Sequence, residues 1–189
     1  DAVLEAVDAE IGRLLSSIRP AVFANTTVII IGDNGTPGAA LDFEAPPAKG
    51  SVHEGGIHVP LLVVSPGVSP GVSDSLVHVV DLYATILELA GISQSSEDSL
   101  SFAGVLQDLP GPRQWAYTLR RKPLGLDGPW PVLNRSAVVQ WPWKVIRENS
   151  ELDLYDISLG TDMLVPLPWS LEEQEAFDTL SAVMSDIEG

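Results

Sequence analysis

The run Thr26-Thr27-Val28-Ile29-Ile30-Ile31, followed at once by Gly32-Asp33-Asn34-Gly35, constrains this chain more than any other stretch. A continuous β-branched run reads as a strand buried on both faces, as in a parallel sheet, because a half-solvated strand alternates apolar with polar residues. Such a strand delivers Asp33 to its carboxyl end. In open α/β sheets ligands bind at that edge, so a carboxylate there is better placed for chemistry than for packing. Taken alone, Asp33-Asn34-Gly35 is a turn, since Asn and Gly both tolerate positive φ. Its company gives it a second meaning. A carboxylate and an amide oxygen side by side are the hard donors that Ca²⁺ or Mg²⁺ takes. Downstream, Lys49-Gly50-Ser51-Val52-His53-Glu54-Gly55-Gly56-Ile57-His58-Val59-Pro60 puts a fixed positive charge on a loop whose glycines let a ligand approach the backbone. A metal and an ammonium group facing one pocket suit an anionic substrate.

Asp33-Asn34-Gly35, Lys49-Gly50, Glu54-Gly55-Gly56, Val59-Pro60 and Leu61-Leu62-Val63-Val64-Ser65-Pro66-Gly67 together resemble, in order and approximate spacing, the sulfatases of the alkaline phosphatase superfamily. There a strand ending in Ser-Asp-Asn-Gly precedes a loop of the form Lys-Gly-x-x-x-Glu-Gly-Gly-x-Arg-x-Pro and a second apolar strand. Gly32 stands here where serine is usual, and His58 where arginine is usual. The resemblance continues through Asp81-Leu82-Tyr83-Ala84-Thr85-Ile86-Leu87-Glu88-Leu89-Ala90-Gly91, usually with proline at the place of Ala84, and through a Leu-Tyr-Asp strand at Leu154-Tyr155-Asp156.

The resemblance implies an α/β fold: part of an alkaline-phosphatase-like sheet covered by helices, followed by a small antiparallel sheet plus a C-terminal helix. It implies hydrolysis of aryl or carbohydrate sulfate esters, in which a formylglycine made from cysteine or serine attacks sulfur beside a bound Ca²⁺. Carried over by residue, Asp33 and Asn34 are metal ligands and Lys49 contacts the sulfate oxygens. His53 and His58 have no assigned work in the family pattern and read as surface or packing residues. Glu54 is expected to hold the loop by accepting backbone hydrogen bonds. The sequence has no cysteine, no Ser-x-Pro-x-Arg and no adjacent pair of aspartates. It is therefore expected to hold half a site, with the formylglycine in an upstream segment of a longer chain. That expectation agrees with a start at Asp1 inside a helical pattern. Two other readings stand beside it: a relic of the fold that binds a partner or a glycan without catalysis, and a phosphate or phosphonate ester hydrolase of the same superfamily.

Composition narrows the partners. A net charge of −16, from 26 acidic against 10 basic residues, argues against nucleic acid, whose phosphates are bound by clustered Lys and Arg, and disfavours anionic membrane surfaces. No apolar run approaches the roughly 18 residues needed to span a bilayer. The absence of cysteine rules out disulfides and zinc-thiolate sites and leaves the redox compartment open. Localisation and oligomeric state stay open too, although the resemblance is compatible with a secreted, periplasmic or lysosomal protein. Asn25-Thr26-Thr27 and Asn134-Arg135-Ser136 fit the glycosylation pattern, which is too short to decide the matter.

In chain order, Val3, Leu4, Val7, Ile11, Leu14, Leu15 and Ile18 recur at helical spacing, so the spacing predicts an amphipathic helix ended by Pro20. Between Thr36 and Ala48 the prolines mark a loop, on which Asp42 and Glu44 read as solvated. A second helix runs through Val77 to Leu89 and stops at Gly91. Gln94 to Ser101, rich in serine and acid, reads as a linker and divides residues 1–98, the end of the catalytic domain, from a small α+β subdomain at 99–189. There Trp143 to Ile146 and Leu152 to Ile157 predict an antiparallel pair, and Leu171 to Ile187 a closing helix capped by Ser170. All five tryptophans follow position 114, and core packing outweighs a sugar-stacking platform as their role.

Overall fold

The computed structural model describes residues 2–36, 49–93, 96–122 and 133–189, with backbone only at 121–122 and 133–134. Asp42, Glu44 and Trp130 lie outside the described residues. Two compact units emerge, one of Asp1–Gly32 with Pro60–Gly71 and one of Asp33–Val59 with Val72–Gly189.

The first unit holds α1 (Ala2–Ser17), α2 (Pro20–Phe23), β1 (Val28–Ile31) and β2 (Leu61–Val64). The amphipathic helix forms as its spacing predicts, yet Val3, Leu4, Val7 and Leu14 of its apolar stripe are exposed. Pro20 ends α1 and also opens α2, at whose first turn its missing N–H costs nothing. The apolar runs form the two expected strands, but not as parallel neighbours. β1 pairs antiparallel with β2, Val28 opposite Val64 and Ile31 opposite Leu61, and its residues are half-buried. A β-branched run specifies an extended chain, and strand direction is set by partners distant in sequence.

In the second unit, β3 (Ala116–Lys122), β4 (Leu133–Gln140), β5 (Trp143–Glu148), β6 (Glu151–Asp156) and β7 (Met163–Leu164) form one antiparallel sheet in sequential order. The predicted β5–β6 hairpin is present and turns at Asn149, whose φ of 60° suits asparagine. Because side chains alternate across a strand, the sheet has two distinct faces. One carries Val138, Val145 and Leu154, which pack on Leu180 and Met184 of α5 (Leu171–Glu188). Burying each of these side chains contributes roughly 1.5–3 kcal/mol. The capping box at Ser170 and Glu173 starts the helix as expected, and Glu188 anchors its far end by accepting from Tyr117 and Ser136 and pairing with Arg147. The opposite face carries Ala137 and Ile146, on which Val52 sits.

The second unit also holds α3 (Glu54–Ile57) and α4 (Asp81–Leu89). Gly91, at φ 72°, follows α4 as the sequence suggests. Residues compositionally like a linker are tied back onto this helix: Ser99 Oγ accepts from Ala84 N at 2.9 Å and Leu100 N donates to Asp81 Oδ1 at 2.9 Å. Asp81 also receives Arg113 Nε at 2.6 Å and Nη2 at 2.5 Å. Trp143 and Trp169 pack against the α5 core as expected, whereas Trp115 and Trp141 are exposed. No helix among the described residues is long and apolar enough to cross a membrane.

Candidate functional site

Asp33 lies two residues beyond the end of β1, and the turn it opens is docked on the lysine loop by backbone alone. Gly35 N donates to Gly56 O at 3.0 Å. A Cβ at position 35 would stand 1.9 Å from the Gly55 carbonyl oxygen, so only glycine permits this approach. One residue on, Lys49 N donates to Thr36 O at 2.9 Å. The Asp-Asn turn and the lysine, separated by fifteen residues in sequence, thus share one piece of hydrogen-bonded backbone.

Asp33 is exposed and Asn34 half-buried, with Asn34 Nδ2 donating to Asp33 Oδ1 at 2.6 Å. That contact leaves the Asn34 carbonyl oxygen and the Asp33 carboxylate as adjacent hard donors. They fit a divalent cation as two of its ligands, fewer than the six to eight oxygens Ca²⁺ usually takes. Among the described residues no cluster of three acidic, histidine or cysteine side chains could complete such a site. Lys49 is exposed, and Gly50 turns beneath it at φ 80°. Arg120 of β3 brings a second cation near: its Nη2 is 4.0 Å from where a Cβ of residue 50 would be.

Behind Lys49 the loop is fastened. Val52 is 1% exposed on the sheet, and the next residues gather around a buried ammonium group. Lys144 of β5, whose side chain is 0% exposed, lies 3.0 Å from Glu54 Oε1 and 2.8 Å from Asp162 Oδ1. Asp162 Oδ2 accepts from Glu54 N at 2.7 Å, capping the first turn of α3, and stands 3.4 Å from His53 Nδ1. His53 is half-buried, edge-on to the Tyr155 ring. His58 Nδ1 is 3.0 Å from Glu54 Oε2 and is itself mostly exposed.

Glu54 therefore holds the loop, but through side-chain ion pairs rather than by accepting backbone N–H groups. The reason is its position at the start of α3, where its own N–H needs a partner and its carboxylate faces Lys144. Burial disfavours the charged carboxyl of Asp162, yet hydrogen bonds from His53 and Lys144, the Lys144 charge and the Glu54 amide bring its pKa down to about 2. Burial likewise opposes Glu54, and His58 and Lys144 outweigh it, leaving the pKa below the usual glutamate value. The hydrogen bond to Glu54 in turn raises His58 above the ordinary histidine value against a smaller desolvation cost.

The sequence alone assigns no site role to Lys144, Asp162 or Arg120. A faint signal existed for the first: in Trp143-Lys144-Val145-Ile146 the lysine shares its strand face with Ile146, an odd place for a cation unless carboxylates meet it. Asp162 carries no comparable local mark.

Residues 1–92 match the family model described as Sulfatase. Arylsulfatase K of Danio rerio is 38% identical over 90 residues, which is 47% of this chain and 17% of that relative. The chain thus spans about a sixth of that relative's length. A solved 2-O GAG sulfatase shares the fold at TM-score 0.73 and 19% identity, across 96% of this chain and 40% of that one. A phosphonate monoester hydrolase from Silicibacter pomeroyi is similar at TM-score 0.70 and 19% identity, across 95% and 38%. The expected alkaline-phosphatase-like α/β architecture, with its antiparallel sheet and closing helix, is the observed one.

Proposed function

We propose that this sulfatase segment supplies the metal-binding and sulfate-binding part of a sulfate ester hydrolase, with the nucleophile on sequence outside these 189 residues. The observation that carries the reading is the docking of Gly35 on Gly55-Gly56, which fixes Asp33-Asn34 and the Lys49 loop as one unit. Lys49 would hold the sulfate oxygens, where a fixed cation gains strength as charge builds on the transferring group. Arg120 adds to the positive field beside it. Asp33 and Asn34 would be two ligands of Ca²⁺, or of Mg²⁺, and the bound cation would polarise the sulfate and offset its charge. We take residues 1–98 as the end of a catalytic domain and 99–189 as a C-terminal subdomain, a reading that the family match to residues 1–92 supports.

In the full-length protein, Lys49→Ala is expected to lower sulfate ester turnover roughly tenfold or more, the scale of losing one preorganised charge contact. Unchanged turnover would remove Lys49 from the site. The likeness to a phosphonate monoester hydrolase favours a second reading, in which the same residues serve a phosphonate or phosphate ester. Sulfate and phosphonate esters of one phenol, competed in a single assay, separate the two.

A further inference from the structure

Lys144 lies on the sheet of the C-terminal region, far in sequence from the residues assigned to sulfate and metal, yet it is the group around which their loop is built. Its ammonium is wholly buried and meets carboxylates from two other segments, Glu54 at the head of α3 and Asp162 in the stretch between β6 and β7. Removing a lysine from water costs several kcal/mol, and an apolar residue beside Val145 and Ile146 would fill the same place without that cost. A position so unfavourable for packing points to a demand for accurate placement.

The connections show what is placed. Asp162 grips the backbone N–H of Glu54, Lys144 grips its carboxylate, and Val52 is buried on Ala137 and Ile146. Segment 52–57 is thereby fixed to the sheet from both of its sides. Lys49 hangs from this segment by two residues, and Gly55-Gly56 carries the Asp-Asn turn on its back.

We infer that Lys144 and Asp162 are positioning residues: through Glu54 they set where Lys49 and the Asp33-Asn34 turn stand, so the five-stranded sheet acts as the jig of the site. This rests on the assignment of Lys49 and Asp33-Asn34 given above. Neither Lys144 nor Asp162 touches substrate.

Lys144→Met alone strands two buried carboxylates and can unfold the protein. The decisive variant therefore combines it with Glu54→Gln and Asp162→Asn, which leaves no charge buried in this cluster, in the full-length protein. Hydrogen exchange without substrate is expected to run roughly tenfold faster or more at amides 52–58 while β4 and β5 keep their protection. Turnover of a sulfate ester is expected to fall on the order of 10- to 100-fold, as a misplacement near 1 Å can cause, although thermal stability returns close to the parent's. Parental exchange at 52–58 overturns the inference, whatever the turnover does. Recovery of turnover along with stability also overturns it, because the triad would then be only structural. The exchange readout is independent of Lys49, so a failed Lys49→Ala test and a failed clamp remain distinguishable.

Discussion

Replacing His58 by arginine should remove a pH dependence that the contact of His58 with Glu54 gives this chain. His58 and Glu54 meet at 3.0 Å across one helical turn, and the histidine side chain is 67% exposed against 8% for the glutamate. Exposure on that scale means strong screening, so the pair is worth about 0.3–1 kcal/mol, the range for exposed ion pairs one turn apart. The sign follows from the direction of the shift. His58 is raised above the ordinary histidine value of 6.5, so its contribution is fully present below that value and is lost as pH rises through the higher folded value. Glu54 is lowered from 4.5, so its own contribution is present above that value and fades as pH falls through the lower folded one. The outer pair is therefore strongest between 4.5 and 6.5. Lys144 keeps Glu54 paired when His58 loses its proton, which bounds the loss to the outer contact. For a protein of this size about 1 kcal/mol moves Tm by roughly 2–4 °C, so the parent should lose about 1–3 °C relative to His58→Arg between about pH 6 and about pH 8. Thermal melts of both proteins on one pH series give the difference, in which His53 and His78 cancel. Two parallel curves would show that the contact carries no charge pairing.

Further outcomes follow from packing. Arg113→Ala leaves Asp81, 1% exposed, with only backbone donors from His78 and Leu100, and should cost about 3–5 kcal/mol in urea unfolding; a loss under about 1 kcal/mol would mean that water replaces the guanidinium. That carboxyl, lowered from 3.8 by Arg113 and two amides against burial, should keep its contribution above 3.8 and lose it as pH falls through its lower folded value, visible as acid lability that Arg113→Ala weakens. Gly35→Ala forces the Asp-Asn turn off the Gly55 carbonyl and should lower sulfate ester turnover in the full-length protein on the order of tenfold, with unchanged turnover showing that the turn can shift freely.

Much of this was legible because the relevant signals are local. The apolar runs at Val28–Ile31 and Leu61–Val64, the Ser170 cap and the β5–β6 hairpin each announce themselves within a few residues. So does the spacing from Asp33 to Pro60, which carries the family resemblance. What escaped is non-local. Strand direction at β1 depends on β2, some thirty residues away, and the Lys144 contacts span 90 residues to Glu54. β3 was unmarked because Arg120, Arg121 and Lys122 interrupt its apolar alternation. Trp115 and Trp141 were misjudged because tryptophan identity says how much surface there is to bury, not whether a partner arrives to cover it.

The hydrogen bond from Lys49 N to Thr36 O has a consequence for how such chains can diversify. It brings Thr36 and Lys49 together as a neck of backbone, and the contact of Gly35 with Gly56 lies beside it. Closing a longer loop over a neck already formed costs only about 0.6 kcal/mol for each doubling of its length. Sequence between Thr36 and Lys49 is thus a natural place for grafting, because the backbone pair that flanks it can stay in place whatever the length chosen.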